Sequence, residues 1–163
     1  MYCLERRCFS RLYSLRTAFI PNSIIQLNHD IFSFCSKLES VVFEKDMKLK
    51  RLVNYMFYYT NLTFIDIPSS VTLVDQYAFA HMNNLRVIYA HSLLKSHSNA
   101  FENTNTSNIR IYAPLNYPED NVLGIPVIKE LTPNKSHRKT RCICSASRSL
   151  FVYDLCLLVT QSF

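Results

Sequence analysis

Glycine is nearly missing from this chain: Gly124 is the single one in 163 residues. Loops that cradle phosphates, of the P-loop or dinucleotide type, need several glycines at fixed offsets, so those chemistries are excluded. Zinc knuckles are missing too, because Cys142-x-Cys144 stands alone and no C-x-x-C pair joins it to Cys3, Cys8, Cys35 or Cys156. His29, His81, His91, His97 and His137 never fall at ligand spacing with a second His or a Cys in the body of the chain, and His91 with His97 reads as a surface pair. Acids are scattered singly through the first 118 residues, which leaves no carboxylate pair for general acid/base work. Ser69-Ser70 beside Pro68 resembles a turn and not a nucleophile elbow. The expectation is no catalytic residue, no metal, no cofactor and no enzymatic activity.

Long apolar runs are also scarce. LFVYDLCLLV, near the end, is interrupted by Asp154 and falls short of the roughly 20 apolar residues a bilayer span needs. MYCLERRCFS puts charges where a secretory leader has its apolar stretch. On these grounds the default compartment is the cytoplasm, and the acceptor patterns Asn61-Leu-Thr63, Asn105-Thr-Ser107 and Asn134-Lys-Ser136 carry no glycan.

Positive charge is in excess, with a formal net charge of +6, but its location decides its meaning. Arg6, Arg7, Arg11 and Arg16 face only Glu5 in the first 16 residues, and residues 119–163 hold six Lys or Arg against four acids. Between them, residues 17–118 balance eight against seven. A phosphate backbone needs a basic face on the folded body, so no nucleic-acid partner is expected.

What is abundant is periodicity. Phe9, Phe32, Phe57, Phe79 and Phe101 follow one another at 23, 25, 22 and 22 residues. Eight positions before each anchor stand Met1, Ile24, Leu49, Val71 and Leu93, and five before stand Leu4, Leu27, Leu52, Val74 and Ser96. After each anchor comes apolar-x-x-apolar-x-apolar: Leu15/Ala18/Ile20, Leu38/Val41/Phe43, Leu62/Ile65/Ile67, Leu85/Ile88/Ala90, and a degraded Ile109/Ile111. One such unit cannot bury its apolar face alone, so copies must stack. The alternating end of the pattern makes a short parallel strand, and the phenylalanine plugs the interior at a turn. A leucine-rich-repeat solenoid of about five repeats, 22–25 residues each, with short parallel strands and turns or short helical segments, is predicted.

IPNSIIQLNHDIF, IPSSVTLVDQYAF and FSFCSKLESVVF carry the register IPxSV…AF…L-x-x-I-x-I, which resembles the BspA-type leucine-rich repeat. The likeness covers about residues 1–118 and implies a fold first; for function it implies surface attachment, since relatives of this type occur on bacterial and protist surfaces. It also implies a buried Cys35. The family commonly has Gly just after the second apolar position, where this chain has Glu5, Asn28, Val53, Asp75 and His97. Valine does not tolerate the left-handed backbone that Gly serves, so irregularity is expected around Val53, in the long-spaced repeat.

Residues 1–118 are thus expected to be the array, with Met1 already in phase and uncapped, as in a truncated array or one covered end to end by another copy. Residues 119–163 are expected to be non-repeat: NVLGIPVIKEL supplies one last strand, and residues 133–149, with five Lys or Arg and no acid, are solvated. Strand alternation turns one set of side chains outward: Thr17, Ser40, Phe64, Val87, Asn108; then Phe19, Val42, Asp66, Tyr89, Arg110; then Pro21, Glu44, Pro68, His91, Tyr112. Phe19, Val42, Phe64, Val87, Tyr89 and Tyr112 make an apolar and aromatic stripe flanked by Asp66 and Arg110, the composition of a protein interface. A protein partner on that face is the expected function, in adhesion or, alternatively, in an intracellular scaffold or a truncated product without function.

Overall fold

A computed structural model describes residues 2–130. Met1 and residues 131–163, with Leu131 of the expected last strand, the basic run 133–149 and the apolar stretch 150–159, lie outside the described residues.

The chain winds as a solenoid with two strand faces and a turn rim. One face carries the short strands β1 (Tyr2–Leu4), β3 (Ile24–Leu27), β5 (Arg51–Leu52), β7 (Leu73–Val74) and β9 (Lys95–Ser96). The other carries β2 (Thr17–Ile20), β4 (Ser40–Phe43), β6 (Phe64–Ile67), β8 (Val87–Ala90), β10 (Arg110–Pro114) and β12 (Ile125–Glu130), with β11 (Asn121–Val122) folded back on β12. All pairings between turns are parallel, in the register the repeat dictates: Ile65 beside Ile88, Ile67 beside Ala90, Leu52 beside Val74. The final strand of the run 121–131 is present and pairs parallel with β10.

The core is the set of columns read from the spacing. Phe32, Phe57 and Phe79 are fully buried and Phe101 is 8% exposed, while Phe9, in the first turn, is half-buried. Their rings stack at 5.6, 6.0, 5.7 and 5.2 Å between successive centroids. Cys35 is buried beside them, and its Sγ donates to the Phe9 carbonyl at 3.0 Å. Burial pushes this thiol up to about 11. At pH 8 only about one part in a thousand is then thiolate, the reactive form. Iodoacetamide applied to the native protein is expected to modify exposed Cys3 to completion while Cys35 stays unmodified, read by peptide mass spectrometry; equal rates would place Cys35 outside the core.

Left-handed backbone does not fall where the family's glycines imply. None of Glu5, Asn28, Val53, Asp75 and His97 has a positive φ, and Val53 sits in the core. Positive φ occurs instead two residues before and two after the anchors: Arg7 and Arg11, Asp30 and Phe34, Tyr55 and Tyr59, Tyr77 and His81, then Asn103. These turns put alternate N–H groups along the solenoid axis. Tyr55, Phe57 and Tyr59 donate to the carbonyls of Gln76, Ala78 and Ala80 at 3.1, 3.0 and 3.3 Å, and each neighbouring pair of turns repeats the scheme. Left-handed L-residues cost roughly 1–2 kcal/mol each, which the axial hydrogen bonds and ring stacking offset.

Three further expectations are corrected. Leu93 is 38% exposed and its neighbour Leu94 takes the core column, because Ala90 is followed by the same four-residue step that links Ile20 to Ile24 and Ile67 to Val71. The degraded pattern aligns one step later than read: Ile111 pairs with Ile88, so Ile111/Ala113 are the strand positions and Ile109 fills the column before them. The long repeat is irregular, but not through Val53. Six residues separate Phe43 from Leu49 where other turns use four, and Asp46 turns left-handed to absorb the excess. As a result β4 and β6 share no hydrogen-bonded ladder, nor do β3 and β5. The phenylalanine column crosses this break unbroken, with Phe32 and Phe57 parallel to within 1° and the Phe32 N–H bound to the Met56 carbonyl at 3.0 Å.

Candidate protein-binding faces

The outward side chains of the long-strand face follow from alternation, since Ile65, Ile67, Ile88, Ala90, Ile111 and Ala113 all point inward and are buried. The leading column runs Phe64, Val87, Arg110 and the middle column Asp66, Tyr89, Tyr112, Ile128. Arg110 and Tyr112 therefore each stand one column earlier than the sequence register placed them, and Asn108 lies ahead of the strand. Ile128 was not anticipated, because β12 lies beyond the last recognisable repeat. Phe19 and Val42 pair with each other on β2 and β4, in a two-stranded sheet separate from the five-stranded one that holds the other stripe residues. Val42 is 44% exposed; Phe19, Phe64, Val87, Tyr89 and Tyr112 are half-buried.

Tyr89 and Tyr112 lean together, with centroids 5.6 Å apart and planes tilted by 34°. Burial raises the Tyr89 hydroxyl above its ordinary range, and Tyr112, Glu130 and Asp66 add to the shift. Asp66 does not stand ready as an orienting charge: its Oδ1 is 2.6 Å from His91 Nε2 in the next turn. His91 is therefore an acid's partner and not half of a pair with His97. Arg110 folds its Nη1 onto the carbonyls of Ser107 and Ile109 at 2.9 and 2.8 Å. Arg86, which the stripe omitted, does the same with Asn83 and Leu85, both at 2.9 Å. The sequence did hold a signal for it: Asn84-Leu-Arg86-Val-Ile-Tyr89-Ala recurs as Asn108-Ile-Arg110-Ile-Tyr112-Ala, one residue shorter.

A second aromatic surface lies on the rim. Phe34, Tyr59 and His81, each two residues past an anchor, stack at 5.5 and 4.4 Å, with Arg11 over the Phe34 ring at 5.6 Å and Asn103 Nδ2 at 3.1 Å from His81 Nε2. Tyr55 stacks on Tyr77 at 4.7 Å, and Tyr58 stands edge to face against Phe34, Tyr55, Tyr59 and His81. Sequence reasoning missed these rings because it followed the buried columns and the outward strand positions, not the turns between them. Among the described residues no group of three His, Cys, Asp or Glu is placed to hold a metal ion, and no helix is long and apolar enough to cross a membrane.

Parallel strands stacked at a repeat of 22–25 residues, a continuous phenylalanine column and an outward sheet of apolar and aromatic side chains define a leucine-rich-repeat solenoid, a class that serves as a scaffold for protein interaction. The family model described as BspA type Leucine rich repeat region matches residues 3–124 in six copies, and the chain belongs to that family. No curated protein and no solved structure matches it.

Proposed function

We propose that this chain is a non-enzymatic scaffold that binds a protein partner through the outward face of β6, β8 and β10. The observation that carries the reading is the composition of that face. Phe64, Val87, Tyr89 and Tyr112 hold half-buried apolar surface at positions where an uncovered sheet gains little from it. Phe64 and Tyr89, in neighbouring turns and adjacent columns, clamp one extended segment between them. Attachment to a host or neighbouring cell surface is the setting we propose from the family. A scaffold working inside the cell is the second reading, and the free thiols of exposed Cys3 and Cys8 favour it. Cell fractionation separates the two.

Replacing Phe64 and Tyr89 together by serine is expected to leave stability within about 1 kcal/mol, as surface changes do, and to abolish capture of the partner. Urea unfolding and pull-down from a host or cell extract measure the two effects. Unfolding of the double variant would assign both rings to the core. A folded variant that captures every wild-type partner would move the site to the rim around Tyr58 and Tyr59.

A further inference from the structure

We infer that the segment received by this face is acidic: an extended apolar stretch flanked by Asp or Glu side chains, whose carboxylates are bound by Arg86 and Arg110. The inference rests on the sheet-face reading and adds to it the chemistry of the partner. Both arginines stand at the leading edge of the stripe, in adjacent turns joined by the Arg110 N–H donating to the Arg86 carbonyl at 2.9 Å. Each Nη1 is held by two carbonyls of its own turn, so the guanidinium is fixed before any ligand arrives. That geometry occupies Nη1 and leaves Nε and Nη2 of each as donors for an anion.

Among the described residues neither guanidinium has a carboxylate within ion-pair distance. Arg16, at the same edge in the first turn, differs: it is paired with Glu39 at 2.6 Å. Two like charges at the heads of neighbouring turns raise the positive potential at this edge, and a bound anion lowers it. The trailing edge offers a cation much less. Asp66 is bound to His91, Glu44 accepts from the Asn22 N–H at 2.8 Å, and Glu130 stands opposite Pro114 at the far end of the strands. Charge on the stripe is thus polarised, with positive donors at the leading edge beside Phe64, Val87 and Tyr89. Carboxylates bind such planar donors with two parallel hydrogen bonds, which fixes orientation as well as affinity.

The test is selection of a random 12-residue peptide library on the immobilised full chain. Enriched peptides are expected to combine apolar residues with Asp or Glu, and to weaken at least about tenfold when those acids become Gln or when the protein carries Arg86→Gln and Arg110→Gln. Raising salt is expected to slow their association, while Phe64→Ser with Tyr89→Ser removes binding altogether. Peptides that lack acids, or that bind the double Gln variant unchanged yet are lost on the double Ser variant, overturn the acidic partner and leave the sheet face standing. Acidic peptides that still bind the double Ser variant, or a library that yields no binder, overturn both.

Discussion

Phe79→Ala is expected to lower the stability of the full chain by about 3–5 kcal/mol, the range for truncation of a fully buried phenylalanine. The ring lies in mid-column with Phe57 at 5.7 Å on one side and Phe101 at 5.2 Å on the other. Removing it opens a gap that neither neighbour can close, because Phe57 is held by its own N–H donation to the Ala78 carbonyl at 3.0 Å and Phe101 by its carbonyl, which accepts from the Thr104 N–H at 3.0 Å. Phe9→Ala, in the half-buried first turn, is expected to cost well under half as much. Urea unfolding of the two variants beside the parent chain measures both. A loss under about 1 kcal/mol for Phe79→Ala would mean that the ring is not a plug and that the repeat register is misplaced.

Tyr77→Val is expected to cost about 1–2 kcal/mol, although Tyr77 is only half-buried. Tyr77 has φ 59, where tyrosine already carries the roughly 1–2 kcal/mol cost of left-handed backbone, and a β-branched residue fits that conformation less well still. The variant also loses the stack on Tyr55, of the order of 0.5–1.5 kcal/mol. Tyr77→Gly separates the two effects, because glycine adopts this conformation freely and loses only the ring. The glycine variant is therefore expected to be more stable than the valine one, despite its greater freedom when unfolded. Equal stabilities would contradict the left-handed turn at Tyr77 and, with it, the axial hydrogen bond from Tyr77 to Asn99 at 3.3 Å.

That rim explains how the family's architecture persists here almost without glycine. The ladder of axial hydrogen bonds is made by alternate N–H groups at the anchor and two residues to either side, whatever the side chains are. Rings at those sites then stack from turn to turn, as in Phe34, Tyr59 and His81, and return part of the backbone cost. The same side chains give the rim its exposed aromatic character, so a requirement of the fold and a surface with binding potential share their residues.

The buried columns were open to reading from the sequence because each recurs at a fixed distance from its phenylalanine, and because an unburied Leu or Ile in every turn would be costly. Ile24, Val71, Leu52 and Val74 needed no coordinates. Neither did the inward alternation of Ile65 and Ile88, which in turn placed Phe64 and Tyr89 outward. Tertiary structure alone decided where spacing changed. A one-residue contraction before Ile111 moved Arg110 and Tyr112 by a column, and a two-residue expansion after Phe43 separated Phe19 and Val42 from the main sheet. Period predicts a side chain's face only while the hydrogen-bonded register holds, and insertions are absorbed by whichever turn bends most cheaply, a choice made by contacts between turns. Left-handed backbone at Tyr77 and its kin was likewise invisible, since no local preference of tyrosine points to it; the axial hydrogen bonds to the next turn impose it, and they exist only once the turns have stacked.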